Sequence, residues 1–272
     1  MKHKRILLCL ASALVLSICL SPAALAQSDD ECKKKPFTYD NGPLGQRHWC
    51  GACNLDSSKR QAPINIDPAQ ATRDPNLPKL DFLGYKGTQL SVDKKYHNLK
   101  IDYKNGDSYI KIGTDSFKLV EFHFHRPSEE AIDSHRTAMV IHLVHESVTQ
   151  PGSLAVVAIL VKAGQPDEKT KKLVDTLIQN APVVNGAVAP QDVEINAADL
   201  LPAGSFPENH SYFRYEGSLT TPGCGEGVMF YVLKTPVYFS AEQLKQFEAR
   251  YPFPSARNIQ ATNGREVKQT VR

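Results

Sequence analysis

The sequence predicts a mainly β, mixed α+β fold: a large twisted, mostly antiparallel central β-sheet with a few short peripheral helices. Three observations lead there. Short segments rich in β-branched and aromatic residues follow one another closely through the middle of the chain, separated by turn residues. Only two stretches place apolar residues convincingly at helical spacing. No Gly/Ser-rich or Pro-rich linker, repeat or low-complexity tract divides the 272 residues, so a single domain is expected over 27–272.

Residues 1–26 stand apart as an export signal. Lys2, Lys4 and Arg5 form a basic start, Ile6 to Leu20 an apolar run, and Ala24-Leu25-Ala26 the small-x-small pattern that signal peptidase accepts. The run is too short to span a bilayer stably, and Pro22 follows at once. Bulky Ile18 argues against a lipoprotein built on Cys19, so cleavage is expected after Ala26 and the product is expected to be periplasmic or secreted, with no membrane span. The formal charge of +3 is wholly that of Lys2, Lys4 and Arg5. The remaining chain is electrically balanced and gives no warrant for a nucleic-acid or anionic-membrane partner.

Strands are predicted at Leu99–Tyr103, Ser108–Ile112, Phe117–His125, Thr137–His145 and Leu154–Lys162, punctuated by Asn105-Gly106, Gly113, Arg126-Pro127 and Pro151-Gly152. Their close spacing without helices between them argues antiparallel pairing. From Pro166 to Asn180, Leu173, Val174, Leu177 and Ile178 mark one face of a helix that Pro182 stops. Further strands are expected at Tyr212–Tyr215, Val228–Leu233 and Val237–Phe239, then a helix to about Arg250 opened by a Ser240/Gln243 capping box.

Residues i and i+2 of a strand share a face. In Glu121-Phe122-His123-Phe124-His125 the two histidines therefore project together while both phenylalanines face the other way. The segment Met139 to His145 presents His142 with the same alternation, and His145 on the opposite face. If the two strands pair, three imidazoles converge, which is the ligand set of a catalytic zinc with an open fourth position. Taken singly, each histidine would more often be a core or surface residue. His48, His135 and His210 are read that way. Glu129 after the His-x-His pair also suits half of a cupin metal motif, but Arg136 stands where that motif needs glycine.

Four cysteines follow the signal: Cys32, Cys50, Cys53 and Cys224. An even number in an exported chain indicates disulfides, with three connectivities possible. Trp49-Cys50-Gly51-Ala52-Cys53 has thioredoxin-like spacing, yet it lacks the preceding strand and following helix that redox motif requires.

Taken together, Phe122-His123-Phe124-His125, His142-Leu143-Val144-His145 and Gly217-Ser218-Leu219-Thr220-Thr221-Pro222, with Gln61 to Ile66, Ser128-Glu129 and Asn263-Gly264-Arg265, resemble the exported bacterial type of α-class carbonic anhydrase over nearly the whole chain. The resemblance implies Zn2+ on His123, His125 and His142. It implies reversible hydration of carbon dioxide to bicarbonate and a proton, by attack of a zinc-bound hydroxide. Thr220 would accept a hydrogen bond from the hydroxide and donate to Glu129. Val144, Val156, Leu219, Val228 and Phe230 would form the apolar carbon dioxide pocket, with Thr221 at its edge. His97 would carry the proton out, and Tyr39 would order water on its path. Cys53–Cys224 matches the family disulfide, and Cys32–Cys50 would be additional; pairing of Cys50 with Cys224 remains open. The implied partner is the small-molecule substrate alone, in a monomer or homodimer. A binding domain of this family without catalysis would be expected to have lost a zinc histidine, and none is missing.

Several positions depart from the family pattern, among them Phe230, which stands where tryptophan is usual. Val140 replaces the glutamate that usually accepts the free ring N–H of the third zinc histidine. Glu121, standing where glutamine is usual, is expected to serve His123 and partly compensate. Pro222-Gly223 replaces Pro-Pro and is expected to loosen the Thr220 loop. Lys95, Lys100 and Glu121 are expected to make the polar side of the cavity unusually charged.

Overall fold

The structure, a computed structural model, describes residues 29–93, 98–103, 107–181, 192–204 and 210–271. The predicted export signal, His97, Lys95 and Pro182 lie outside them.

The main elements are β1 (Lys100–Asp102), β2 (Tyr109–Ile112), β3 (Asp115–His125), β4 (Met139–Ser147), β5 (Leu154–Ala163), α1 (Glu168–Asn180), β6 (Tyr212–Ser218), β7 (Glu226–Leu233), β8 (Val237–Phe239), α2 (Ala241–Arg250) and β9 (Lys268–Gln269). All belong to the predicted set except β9. Small strands at Thr72–Arg73, Leu80–Gly84 and Val92–Asp93 extend the edges and fall outside that set too. They form part of a 12-stranded sheet whose central run is β9-β6-β7-β5-β4-β3-β1. Pairing is mostly antiparallel, as predicted. The exception in this run is β5 with β7, which pair in parallel, and β8 joins β5 in parallel from outside the run. A parallel partner requires a crossover, and the chain makes it through α1.

Period-2 alternation sorts side chains to the two faces of the sheet. Phe122, Phe124, Ile141, Leu143, Val157 and Ile159 enter a core that includes Leu173, Val174, Leu177 and Ile178 of α1. Val140, Val144, Val156, Ala158, Val228 and Phe230 point into a second cluster on the other face. β4 and β5 are covered on both sides, which is why they read as near-continuous apolar runs.

The helices are capped by side chains. Asp167 accepts hydrogen bonds from the backbone N–H groups of Lys169 and Thr170, starting α1 two residues after Pro166. Ser240 and Gln243 form the predicted capping box. Gln243 also donates to Lys171 O and Asp175 Oδ1, which ties α2 to α1.

His145 lies in the helix-side core, as its strand position implied. Its Nδ1 lies 3.2 Å from Ala155 O, which can only accept, so Nδ1 carries the proton and Nε2 accepts from the Tyr85 hydroxyl at 2.5 Å. Burial pushes its pKa down to about 4. The folded state thus favours neutral His145, and this contribution is complete above the unfolded value of about 6.5 and is lost as pH falls towards 4. Between pH 7 and 4.5 the stability advantage of the native protein over His145→Gln should shrink by roughly 2–3 kcal/mol in urea unfolding. A gap independent of pH would contradict the assignment.

Candidate metal centre

β3 and β4 pair with His142 directly opposite His123 and with Val140 opposite His125. Directly opposed residues share a face, so the alternation brings His123, His125 and His142 together. Ring centroids are 4.8 Å apart for His123 and His125, 5.3 Å for His123 and His142, and 5.0 Å for His125 and His142.

Each ring has one nitrogen committed to an acceptor. His123 Nδ1 donates to the Glu121 carboxylate, 2.9 Å from Oε2 and 3.0 Å from Oε1. His125 Nδ1 donates to Ser255 O at 2.6 Å. His142 Nε2 donates to Glu130, 3.1 Å from Oε1 and 3.2 Å from Oε2. The remaining nitrogens are His123 Nε2, His125 Nε2 and His142 Nδ1, and the three residues offer ligand atoms within 4.8 Å of one another. His125 Nε2 is buried without a hydrogen-bond partner. A buried lone pair that nothing satisfies, in a cluster where two further imidazoles each offer a ligand nitrogen, fits a nitrogen-bound cation.

The electrostatics agree with this division. Burial, then the neighbouring His123 and His142, hold the His125 pKa well below the ordinary histidine range. Burial also opposes charge on His142, but the Glu130 charge and hydrogen bond outweigh it and raise its pKa. Burial works against the Glu121 carboxylate as well, yet His123 beside it lowers its pKa on balance.

Glu129 approaches from the loop after β3. Its Oε2 is 3.4 Å from His125 Nε2, and its Oε1 accepts the Arg257 backbone N–H at 2.8 Å. Burial pushes its pKa up to about 7, while His142, the Arg257 N–H and the Thr220 hydroxyl pull the other way. Oε2 has no hydrogen bond of full geometry and faces the histidines. The 255–257 segment therefore serves two groups, taking the His125 N–H on Ser255 O and donating to Glu129. Arg257 is anchored in turn on Ala62 O and Cys53 O.

A cavity of about 270 Å3 opens over the three rings. Val144, Val156, Leu219, Val228, Phe230 and Thr221, the expected pocket residues, all line it, together with Thr220, Lys33 and Lys100. Lys100 pairs across from His123 and Glu121 lies on the same face, so the expected polar side is present at these two positions. Tyr39 packs edge-on to His125, 6.4 Å between centroids, and against Trp49. His48 and His135 are exposed, and His210 is buried against Pro202 O.

Two disulfides, Cys32–Cys50 and Cys53–Cys224, resolve the pairing left open by the sequence. Cys50 and Cys53 do not pair with each other, which removes the thioredoxin-like reading. The expected loosening at Gly223 is corrected by the structure. Gly223 has φ +104°, inaccessible to proline, and its N–H donates to Cys50 O. A Cβ on Gly51 would come within 2.5 Å of Gly223 O, so the two glycines allow a backbone contact that holds the Thr220 loop.

Val140 is buried in the apolar cluster and cannot accept a ring N–H, as expected, but His142 is not left without a carboxylate, because Glu130 provides one. Sequence reasoning missed Glu130, Ser255 and Arg257. A second carboxylate directly after Glu129, in a segment leading into buried strands, is the available signal for Glu130. Backbone acceptance by Ser255 leaves none.

A family model described as eukaryotic-type carbonic anhydrase matches residues 44–271. A carbonic anhydrase of Klebsiella pneumoniae is 33% identical over 264 residues, covering 95% of this chain and 98% of its own. One from Nostoc sp. is 32% identical over 237 residues, 85% of this chain and 84% of its own. Among solved structures, the α-carbonic anhydrase of Thermovibrio ammonificans in complex with sulfanilamide superposes with a TM-score of 0.73 at 29% identity, covering 86% of this chain and 98% of that one.

Cys53–Cys224 closes a loop across 171 residues and ties the N-terminal segment to the Thr220 loop. Replacing both cysteines by serine should lower the unfolding free energy by roughly 2–5 kcal/mol, read from urea midpoints. Unchanged midpoints would show that the loop is held without the covalent link.

Proposed function

Since this chain belongs to the eukaryotic-type, or α-class, carbonic anhydrase family, we propose that it catalyses the zinc-dependent reversible hydration of carbon dioxide to bicarbonate and a proton. The observation that carries the reading is the convergence of three imidazoles, each with one nitrogen tied back and one facing the cavity, beside Glu129 and Thr220. Bound there, zinc supplies Lewis acidity that brings the pKa of a coordinated water to about 7, a value general to carbonic anhydrases rather than specific to this site.

The protein's own groups supply orientation. The Arg257 N–H holds Glu129 in place, and the Glu129 carboxylate can only accept while it is ionised. The Thr220 hydroxyl must then donate to Glu129, which leaves its oxygen lone pairs to accept from a water in the cavity. A water held by its hydrogen directs an oxygen lone pair elsewhere, towards the apolar wall. Carbon dioxide carries no charge and only weak acceptors, so Val144, Val156, Leu219, Val228 and Phe230 suit it, with Thr221 at the margin. The released proton needs a carrier that titrates near neutrality, and His97 is the proposed one. Tyr39 is proposed to order water along that route.

Two disulfides fit an oxidising compartment. Together with the signal read at 1–26, they support a periplasmic or secreted enzyme. No helix among the described residues is long and apolar enough to cross a membrane.

Stopped-flow hydration of carbon dioxide, with zinc quantified in the same sample, tests the proposal. The expected result is rapid, sulfonamide-sensitive hydration at roughly one zinc per chain. Thr220→Ala should lose activity about 10–100-fold while keeping its zinc. His97→Ala should be slow in weak buffer and recover with added imidazole. Full zinc without hydration would contradict the proposal.

A further inference from the structure

We infer that Glu130 is the positioning residue for His142, a carboxylate supplied from the loop after β3 in place of the one missing at position 140. The inference deepens the zinc reading above and rests on it.

The family pattern puts this carboxylate two residues before the histidine on the same strand, and Val140 leaves that place apolar and fully buried. A ring N–H with no acceptor there would be a buried unsatisfied donor, costing about 1–3 kcal/mol and leaving the ring free to adopt the wrong tautomer. Glu130 meets the need from a position twelve residues away in sequence. Both of its oxygens lie within hydrogen-bond reach of His142 Nε2, at 3.1 and 3.2 Å, and the side chain has no solvent exposure.

The position is braced on every side. Ser128 Oγ donates to the Glu130 carbonyl at 2.8 Å and accepts the Thr137 N–H at 2.8 Å. Ala131 N donates to Ile64 O, and the next residues pair in parallel with Asn65–Ile66. The half-buried Arg136 spans Ser128 O and Arg257 O at 3.0 and 2.8 Å. Consecutive glutamates thus stand on opposite sides of one imidazole. Glu129 Oε2 is 3.9 Å from Nδ1, the nitrogen facing the cavity, and Glu130 holds Nε2.

The consequence reaches beyond a substitution of one carboxylate for another. Glu121 serves His123 in the same way, so two of the three histidines donate to anions and only His125 donates to a neutral carbonyl. A carboxylate on the ring N–H raises the basicity of the opposite nitrogen. Two such ligands should hold a dication more tightly than one.

The test is zinc retention and the state of the His142 ring. Zinc dissociation constants, from competition with a chelator, should weaken about 10–100-fold in Glu130→Gln and comparably in Glu121→Gln. Adding Val140→Glu to Glu130→Gln should restore retention, since position 140 lies on the same face of β4 as His142. In the native zinc protein, imidazole NMR should show His142 protonated at Nε2 with a strongly downfield proton, which moves upfield in Glu130→Gln and stays in Glu121→Gln. Native-like retention in Glu130→Gln, or protonation of His142 at Nδ1 in the native protein, would overturn the assignment while leaving the zinc reading intact. Failure of the native protein to bind zinc would overturn both.

Discussion

The whole site depends on the commitment of one nitrogen of each histidine to a fixed acceptor. An imidazole can present either nitrogen, and three unconstrained rings would present no defined ligand set. Here Glu121, Ser255 O and Glu130 each take one N–H, and what remains are three lone pairs facing one point. The acceptors come from three different places: the same strand as its histidine, the loop after β3, and a segment near the C-terminus. The centre therefore requires the fold to be complete before it exists.

The sheet stabilises this arrangement. Buried glutamates cost several kcal/mol each unless paired and hydrogen-bonded. Glu129 and Glu130 are fully buried, and each has a named partner that is itself braced by β-structure or by Arg136 and Arg257. The opposite face of the sheet supplies the compensating apolar burial, where Phe122 and Phe124 alternate with the histidines and pack into the helix-side core. The same period-2 pattern thus separates the chemistry from the core. The Gly51–Gly223 contact and Cys53–Cys224 extend the rigidity to the loop that carries Thr220.

Most of this is legible in the sequence wherever the relevant spacing is local. The strands, both helices, the capping box and the histidine triad follow from periodicity and turn residues, and their observed bounds lie within a few residues of the expected ones. The elements missed are two- to five-residue strands at the sheet edges, too short for any pattern to emerge, and the parallel pairings of β5, which depend on where α1 returns the chain. At the site, Val140 is recognisable from the sequence as unable to accept a ring N–H. What the linear order hides is that the loop after β3 brings Glu130 against His142. Gly223 reads as a loss of stiffness because its backbone conformation and its contact with Gly51 exist only in three dimensions.

Function rests on the metal position and on which nitrogens reach it. Anomalous diffraction at the zinc edge from crystals of the zinc-loaded protein tests this most directly. The predicted result is a single strong peak about 2.0–2.1 Å from His123 Nε2, His125 Nε2 and His142 Nδ1, with Glu121 and Glu130 on the far nitrogens. A peak bound through His123 Nδ1 or His142 Nε2, or one coordinated directly by Glu129 or Glu130, would contradict it.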